Sequence, residues 1–211
     1  MSNDAKGLTI TGLSSRFYDR FNEIFGFGTR FRERIVNEAS LKPGERVLDC
    51  GCGTGTLAII AKKQVGPGGG VHGIDLSKDQ LAVAVRKSRM EGLDIAFHEG
   101  SIDELPFRDH SFDAIFCTLM LHHVPASVKI GAFREMRRAL RSGGRVVIAD
   151  FGRPAHALGW VLTAPLMLSL LATRSTRDNL MHRLPRMMAD AGFSVTEQTI
   201  IKEVVHVIKA V

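Results

Sequence analysis

At 211 residues, with 45% hydrophobic and 24% charged side chains, the chain suits one globular domain with a sizeable core and is too short for two comfortable ones. Its net charge of +6 would suit an acidic partner, but the 28 Lys and Arg are spread along the chain, so a solvated basic surface is expected rather than a nucleic-acid footprint. Cys50, Cys52 and Cys117 are too few for a disulfide framework, and MSNDAKGLTI has no apolar signal run, so a reducing, cytoplasmic setting is expected.

In chain order, ERVLDC reads as a buried strand, followed by glycines and a helix from about Thr56 to Val65. GPGGG (66–70) breaks the chain, and VHGID (Val71 to Asp75) is a second short strand ending in an acid. Ser77, with Gln80 three residues on, predicts an N-cap for a helix running to about Glu91. DIAFHEG and FDAIFC predict a third and a fourth strand, Asp113 starting the latter in a structural role. Ser127 then opens a helix whose stripe is Ile130, Phe133, Met136/Arg137 and Leu140, with the basic residues mostly off it and Gly143-Gly144 at its end. RVVIAD is a fifth strand. The run Ala157 to Ala172 is apolar throughout, yet it is shorter than the ~20 residues of a spanning helix and Pro165 interrupts it. A helix from about Thr176 to Ala191, stopped by Gly192, and a hairpin of FSVTEQTII with EVVHVIKAV complete the chain.

Strands alternating with helices predict an α/β fold: a Rossmann-like, seven-stranded, mostly parallel sheet with helices on both faces and a C-terminal antiparallel hairpin. Ligands of such sheets lie at the carboxyl ends of the strands, where the strand order reverses. That rule selects Asp49 to Gly55, Asp75 to Ser77, Gly100 to Asp103, Cys117 to His123 and Asp150 to Arg153.

The glycine loop VLDCGCGTGTLAII narrows the ligand. A triphosphate cradle needs a lysine and a Ser/Thr after the glycines, and the next lysine is Lys62. A dinucleotide turn has the spacing G-x-G-x-x-G, whereas Gly51, Gly53 and Gly55 alternate, and Asp49 would repel a pyrophosphate. A lone Cys50-x-Cys52 lacks a second ligand pair for a metal. Asp75, 20 residues after Gly55, stands where an acid reads ribose hydroxyls. A ribose together with a cationic or zwitterionic tail describes S-adenosylmethionine (SAM), with S-adenosylhomocysteine (SAH) as product.

VLDCGCGTGTLA, GSIDELPF, FDAIFCTLMLHHV and EMRRALRSGGRVVIADF together resemble the class I SAM-dependent methyltransferases. FYDRFN, the LPF segment and His122-His123 make the ubiquinone/menaquinone C-methyltransferase (UbiE-like) type the most similar. The resemblance covers about Phe17 to Phe151; the remainder matches in general layout, including MMADAGFSV. It implies cofactor contacts at Asp49, Gly51, Cys52, Gly53, Gly55, Asp75, Leu76, Ser101, Ile102, Cys117 and Thr118. Ser101 departs from the pattern, because family members often carry there an acid that contacts the adenine amino group; here the hydroxyl or the backbone must hold the adenine. The family also implies one domain over 1–211, with an N-terminal lid helix about 14–40 that includes Phe17, Tyr18 and Asp19, and a substrate-shaping cap about 154–176. Tyr18, the only tyrosine, is placed to reach the methionine carboxylate or the substrate.

A histidine beside the transfer point can take a proton from the acceptor. His122 and His123 are adjacent and cannot both face the site; the first is taken as the one that does, and a positional role is favoured for the pair. The cap's apolar run suggests a lipophilic acceptor of the quinone-precursor or lipid class, a peripheral membrane contact, or a homodimer contact, with Trp160 suited to a lipid–water boundary. Arg153, Arg174 and Arg177 either meet lipid head groups or keep the run soluble. A non-catalytic SAM/SAH sensor or partner subunit is the alternative of a different class, favoured only by Ser101, and an NAD oxidoreductase is disfavoured by the glycine spacing.

Overall fold

Val47 and Leu48 are neighbours on one strand, yet both are fully buried, which requires cover on both faces of the sheet. The computed structural model describes residues 23–24, 26–154, 156, 159, 163, 168, 174–180 and 182–211. Its elements are α1 (Thr29–Glu38), β1 (Arg46–Cys50), α2 (Thr56–Val65), β2 (Gly70–Asp75), α3 (Lys78–Met90), β3 (Ala96–Glu99) and β4 (Phe112–Thr118). A 3-10 turn (Leu121–His123) leads to α4 (Ala126–Ala139), β5 (Leu140–Phe151), α5 (Arg174–Leu180), α6 (Leu184–Asp190), β6 (Val195–Ile201) and β7 (Val205–Ala210).

The strands make one seven-stranded sheet in the order β3-β2-β1-β4-β5-β7-β6. The first five in that order run parallel, and β7 pairs antiparallel with both β5 and β6. The chain moves outward from β1 through β2 to β3 and then returns to β4 beside β1, which puts the topological switch between β1 and β4. Alternate strand residues feed two cores. Val47, Phe116 and Val147 pack with Ile35 of α1 and Ala58 of α2; Leu48, Ile115 and Ile148 pack with Phe133 of α4 and Met188 of α6.

Much of the chain follows its sequence pattern. Helix α2 has the predicted bounds, and Ser77 caps α3, its Oγ accepting from the Gln80 amide at 3.4 Å. Three expectations are corrected. Helix α4 buries Val128, Lys129, Ala132, Phe133, Met136 and Ala139, while Ile130 is 37% exposed. The stripe turns toward Lys129 because its ammonium is satisfied inside: it donates to Ser175 O and to Asn179 Oδ1 (2.9 Å), and Asp178 lies 3.6 Å away. Gly143 and Gly144 do not end that helix. They lie within β5, where Gly143 has φ +73° and the register against β4 slips. The single helix expected over 176–191 is two, because Pro185 has no amide to continue a helix and instead occupies the first turn of α6.

The described part of the expected lid helix is α1, preceded by a turn at Gly26 (φ +75°). Phe17, Tyr18 and Asp19 lie outside the described residues, as do Trp160 and most of the apolar run. Among the described residues no helix is long and apolar enough to cross a membrane.

Candidate active site

A cavity opens at the β1/β4 switch. The chain leaves β1 and turns at once: the amides of Gly51 and Cys52 both donate to Ile74 O of β2, at 2.8 and 3.1 Å. Gly51 (φ +72°) and Gly53 (φ +53°) hold conformations that other residues rarely adopt. A Cβ on Gly51 would also lie 2.5 Å from Met120 Cγ, across the cavity wall. The loop is therefore bare backbone on the cavity wall, with no room for a side chain at Gly51, and it runs into the N-terminus of α2. Gly55 does not line the cavity; it caps α2, and a Cβ there would meet Ala84 Cβ at 2.8 Å.

Two acids flank the loop. Asp75 Oδ2 accepts from the Gly53 amide (2.8 Å) and Oδ1 from the Ser77 amide (2.9 Å). Its pKa is raised by burial, against the lowering effect of those amides. Asp49 is 2% exposed and accepts from the Ala58 amide, while its Oδ2 has no partner. Burial lifts its pKa to about 7, opposed by the charge of Arg32 and reinforced by that of Asp75. A second buried orphan, Thr118 Oγ1, is on the same wall.

The cavity is lined by Asp49, Gly51, Cys52, Gly53, Asp75, Leu76, Ser101, Ile102, Thr118 and His123 among the residues selected from sequence. Cys117 is not brought to it. Side chains alternate along β4, so Cys117 points into the opposite core, in register with Cys50 and fully buried. All three thiols have pKa values raised well above the usual range by burial. Ser101 lines the cavity with its hydroxyl proton donated to Asp103 Oδ1, so its lone pairs remain free to accept.

The histidine expectation is reversed. His123 lines the cavity; His122 lies behind it, 7% exposed, with Nδ1 2.7 Å from Asp150 Oδ1 and its ring centroid 3.9 Å from that of His123. Asp150 also accepts from the amides of Met120 (3.1 Å), Leu121 (2.7 Å) and Phe151 (2.7 Å). Burial alone would raise the Asp150 pKa, but His122, the Phe151 amide and His123 hold it below the usual carboxylate value. This acid fixes the turn after β4, in which Leu119 takes a left-handed φ of +51°. His123 is pushed down to about 4 by burial and by His122, so it is neutral at physiological pH.

Sequence reading missed Arg32, Leu57, Gln80, Val124 and Val128 on the same wall, and took in Leu119 and Met120 only as part of the stretch Cys117 to His123. A signal existed for Arg32, which precedes buried Ile35 and Val36 by three and four residues and so shares their helix face. Gln80 was read only as a capping partner.

A family profile for a methyltransferase domain matches residues 41–206. The ubiquinone/menaquinone biosynthesis C-methyltransferase UbiE of Bdellovibrio bacteriovorus is 38% identical over 138 residues, covering 64% of this chain and 57% of that protein. The chain thus aligns with little more than half the length of that relative. The demethylmenaquinone methyltransferase of Staphylococcus aureus is 33% identical, with 85% of this chain and 81% of that protein covered. A SAM-dependent methyltransferase from Aquifex aeolicus superposes with a TM-score of 0.75 at 19% identity, over 96% of this chain and 98% of that one. At that identity the likeness is one of fold.

Proposed function

The chain belongs to the class I SAM-dependent methyltransferases of the UbiE-like type, and from that premise we propose that it transfers a methyl group to a lipophilic acceptor of the quinone-precursor class. The observation that carries this reading is the mixed wall of one cavity: acids from β1 and β2 stand opposite no phosphate-gripping lysine, and Met120, Val124 and Val128 supply apolar surface.

The residues present fit the cofactor. The glycine loop offers close backbone approach, Asp75 keeps lone pairs for ribose hydroxyls, and the orphaned Asp49 Oδ2 is an acceptor for an ammonium. Ser101 is a polar acceptor for the adenine amino group. When bound, the cofactor supplies a methyl carbon already activated by its sulfonium. The chain's own task is then to align the acceptor and keep water out, which can be worth ~7–11 kcal/mol in favourable cases. Met120, Val124 and Val128 exclude water. Neutral His123 accepts a hydrogen bond from an acceptor hydroxyl, and with a pKa of about 4 it orients that group rather than removing its proton. His122 and Asp150 hold His123 in place.

The apolar run 157–172, in which Leu168 is 73% exposed, is assigned to the acceptor's tail or to a lipid surface. The test is transfer of label from methyl-labelled SAM to a demethylated quinol presented in detergent. Label recovered in the quinone fraction supports the reading; label confined to water-soluble acceptors sinks the choice of acceptor, and none anywhere sinks catalysis.

A further inference from the structure

The wall that runs from the 3-10 turn into α4 has two faces. His123 and Val128 line the cavity, while the residues beside them, His122 and Lys129, are buried behind it. The helix behind is α5, and it grips both ends of this segment. Thr176 Oγ1 donates to His122 O at 3.3 Å, and Lys129 Nζ donates to Ser175 O and, at 2.9 Å, to Asn179 Oδ1. Asp178 lies 3.6 Å from the ammonium and 3.2 Å from Arg183 Nη1.

Lys129 sits where an ammonium is doubly unfavourable. It is fully buried, and it lies in the first turn of α4, where the helix dipole repels a cation. Burial lowers its pKa, opposed by the charges of Asp178 and Asp150. Packing alone would be served as well by an apolar side chain, because a buried ion pair is commonly no more stabilising than hydrophobic residues of like volume. What the lysine adds is direction: its donors fix where α5 lies against the wall.

We propose that Lys129 is a positioning residue for methyl transfer, holding the turn that carries His123 against the acceptor through its clamp on α5. This deepens the reading of the preceding subsection and rests on its acceptor site. Helix α5 begins two residues after the apolar run 157–172, so the same clamp ties the chain's return from that run to the cavity wall. With the clamp in place, His123 stays buried and orients the acceptor hydroxyl. Without it the turn relaxes, the ring hydrates and that hydrogen bond loses its geometry.

The test compares the wild type with Lys129→Met and with Lys129→Met/Asp178→Asn, in which the stranded acid is also neutralised. Urea unfolding should show a marked loss of stability in the single variant and recovery in the double, because the buried charge left behind is removed. Where the single variant does not fold, the double carries the test. SAH affinity should be nearly unchanged in both, since the glycine loop, Asp49 and Asp75 belong to β1 and β2. Turnover of a demethylated quinol with methyl-labelled SAM should fall about 10- to 100-fold in both, as expected when a reacting group is misplaced. The His123 ring signals, assigned by their absence from His123→Ala, are followed by NMR. They should titrate at about 4 in the wild type and nearer the free-histidine value of roughly 6.5 in both variants.

A double variant that regains stability together with wild-type turnover and His123 titration overturns the proposal, leaving Lys129 a core residue only. Equal losses of turnover and SAH affinity overturn it as well, because they mark a collapsed cavity. If the wild type does not methylate the quinol, the acceptor reading fails instead. The His123 titration then decides the clamp by itself: a raised value in both variants supports it, and an unshifted one refutes it.

Discussion

Asp75 and Asp150 occupy matching places at the carboxyl ends of β2 and β5, and both accept backbone amides that shape the adjacent turn. Their electrostatics differ in sign. Asp75 is raised by burial even with its amides in place, whereas Asp150, more deeply buried, is lowered because the His122 ring, 2.7 Å from its Oδ1, adds a further favourable partner. The comparison teaches that amides alone do not settle a buried carboxylate. Asp75 retains capacity for a ligand, while Asp150 is committed to holding the turn that carries His123.

That contrast can be broken experimentally. Asp150→Ala should produce the largest effect, a destabilisation of about 3–5 kcal/mol from leaving His122 and three backbone amides without their buried acceptor, read by urea unfolding. Asp75→Ala and Gly53→Val should each lower SAH affinity by roughly 100-fold or more while far-ultraviolet circular dichroism is retained, since both residues line the proposed cofactor cavity. If Asp75→Ala proves as destabilising as Asp150→Ala, the division between the two acids is wrong.

A third prediction concerns pH. Asp49 has a pKa of about 7, so it is protonated at pH 5.5 and ionised at pH 8. SAH affinity should therefore rise with pH across that window, by roughly tenfold, and Asp49→Asn should flatten the profile. Stability moves with pH for other reasons. The lowered Asp150 carboxyl contributes stability that is complete above its unfolded value of roughly 3.9 and is lost as pH falls through its folded value. His123 refuses, down to about 4, a proton that the unfolded chain accepts near 6.5, so stability also declines as pH falls between those values.

The smallest effects separate the two histidines. His123→Ala should lower turnover and raise the acceptor KM with SAH affinity nearly unchanged, as judged by steady-state kinetics beside calorimetry. His122→Ala should act chiefly on stability, by about 1–3 kcal/mol, because the buried Asp150 loses a hydrogen-bond partner. Identical kinetic defects in both variants would undo the assignment of His123 to the cavity wall and His122 to its support.

Local patterns carried most of the fold into the sequence. The glycine-loop spacing, Asp49, Asp75 and the Ser77 cap are short signals legible in the sequence, and apart from Gly55 they lie where that spacing predicts, although the loop's hydrogen bonds reach across to Ile74 and Asp75. What failed depended on distant partners. Lys129 is a core residue only because α5 brings Ser175, Asp178 and Asn179 to it. The choice between His122 and His123 was set by Asp150, 28 residues away from the first. Cys117 could have been separated from Thr118 by the period of two along β4, a signal present in FDAIFCT and overlooked. Arg32 was hidden because a charge on a helix is ordinarily a solvated one.

The most direct test of the central claim is calorimetric titration of the purified protein at pH 8 with SAH and, separately, with NAD. Saturable binding of SAH, with no heat from NAD, is the result expected of a glycine loop flanked by Asp49 and Asp75. Binding of NAD in preference to SAH would contradict it.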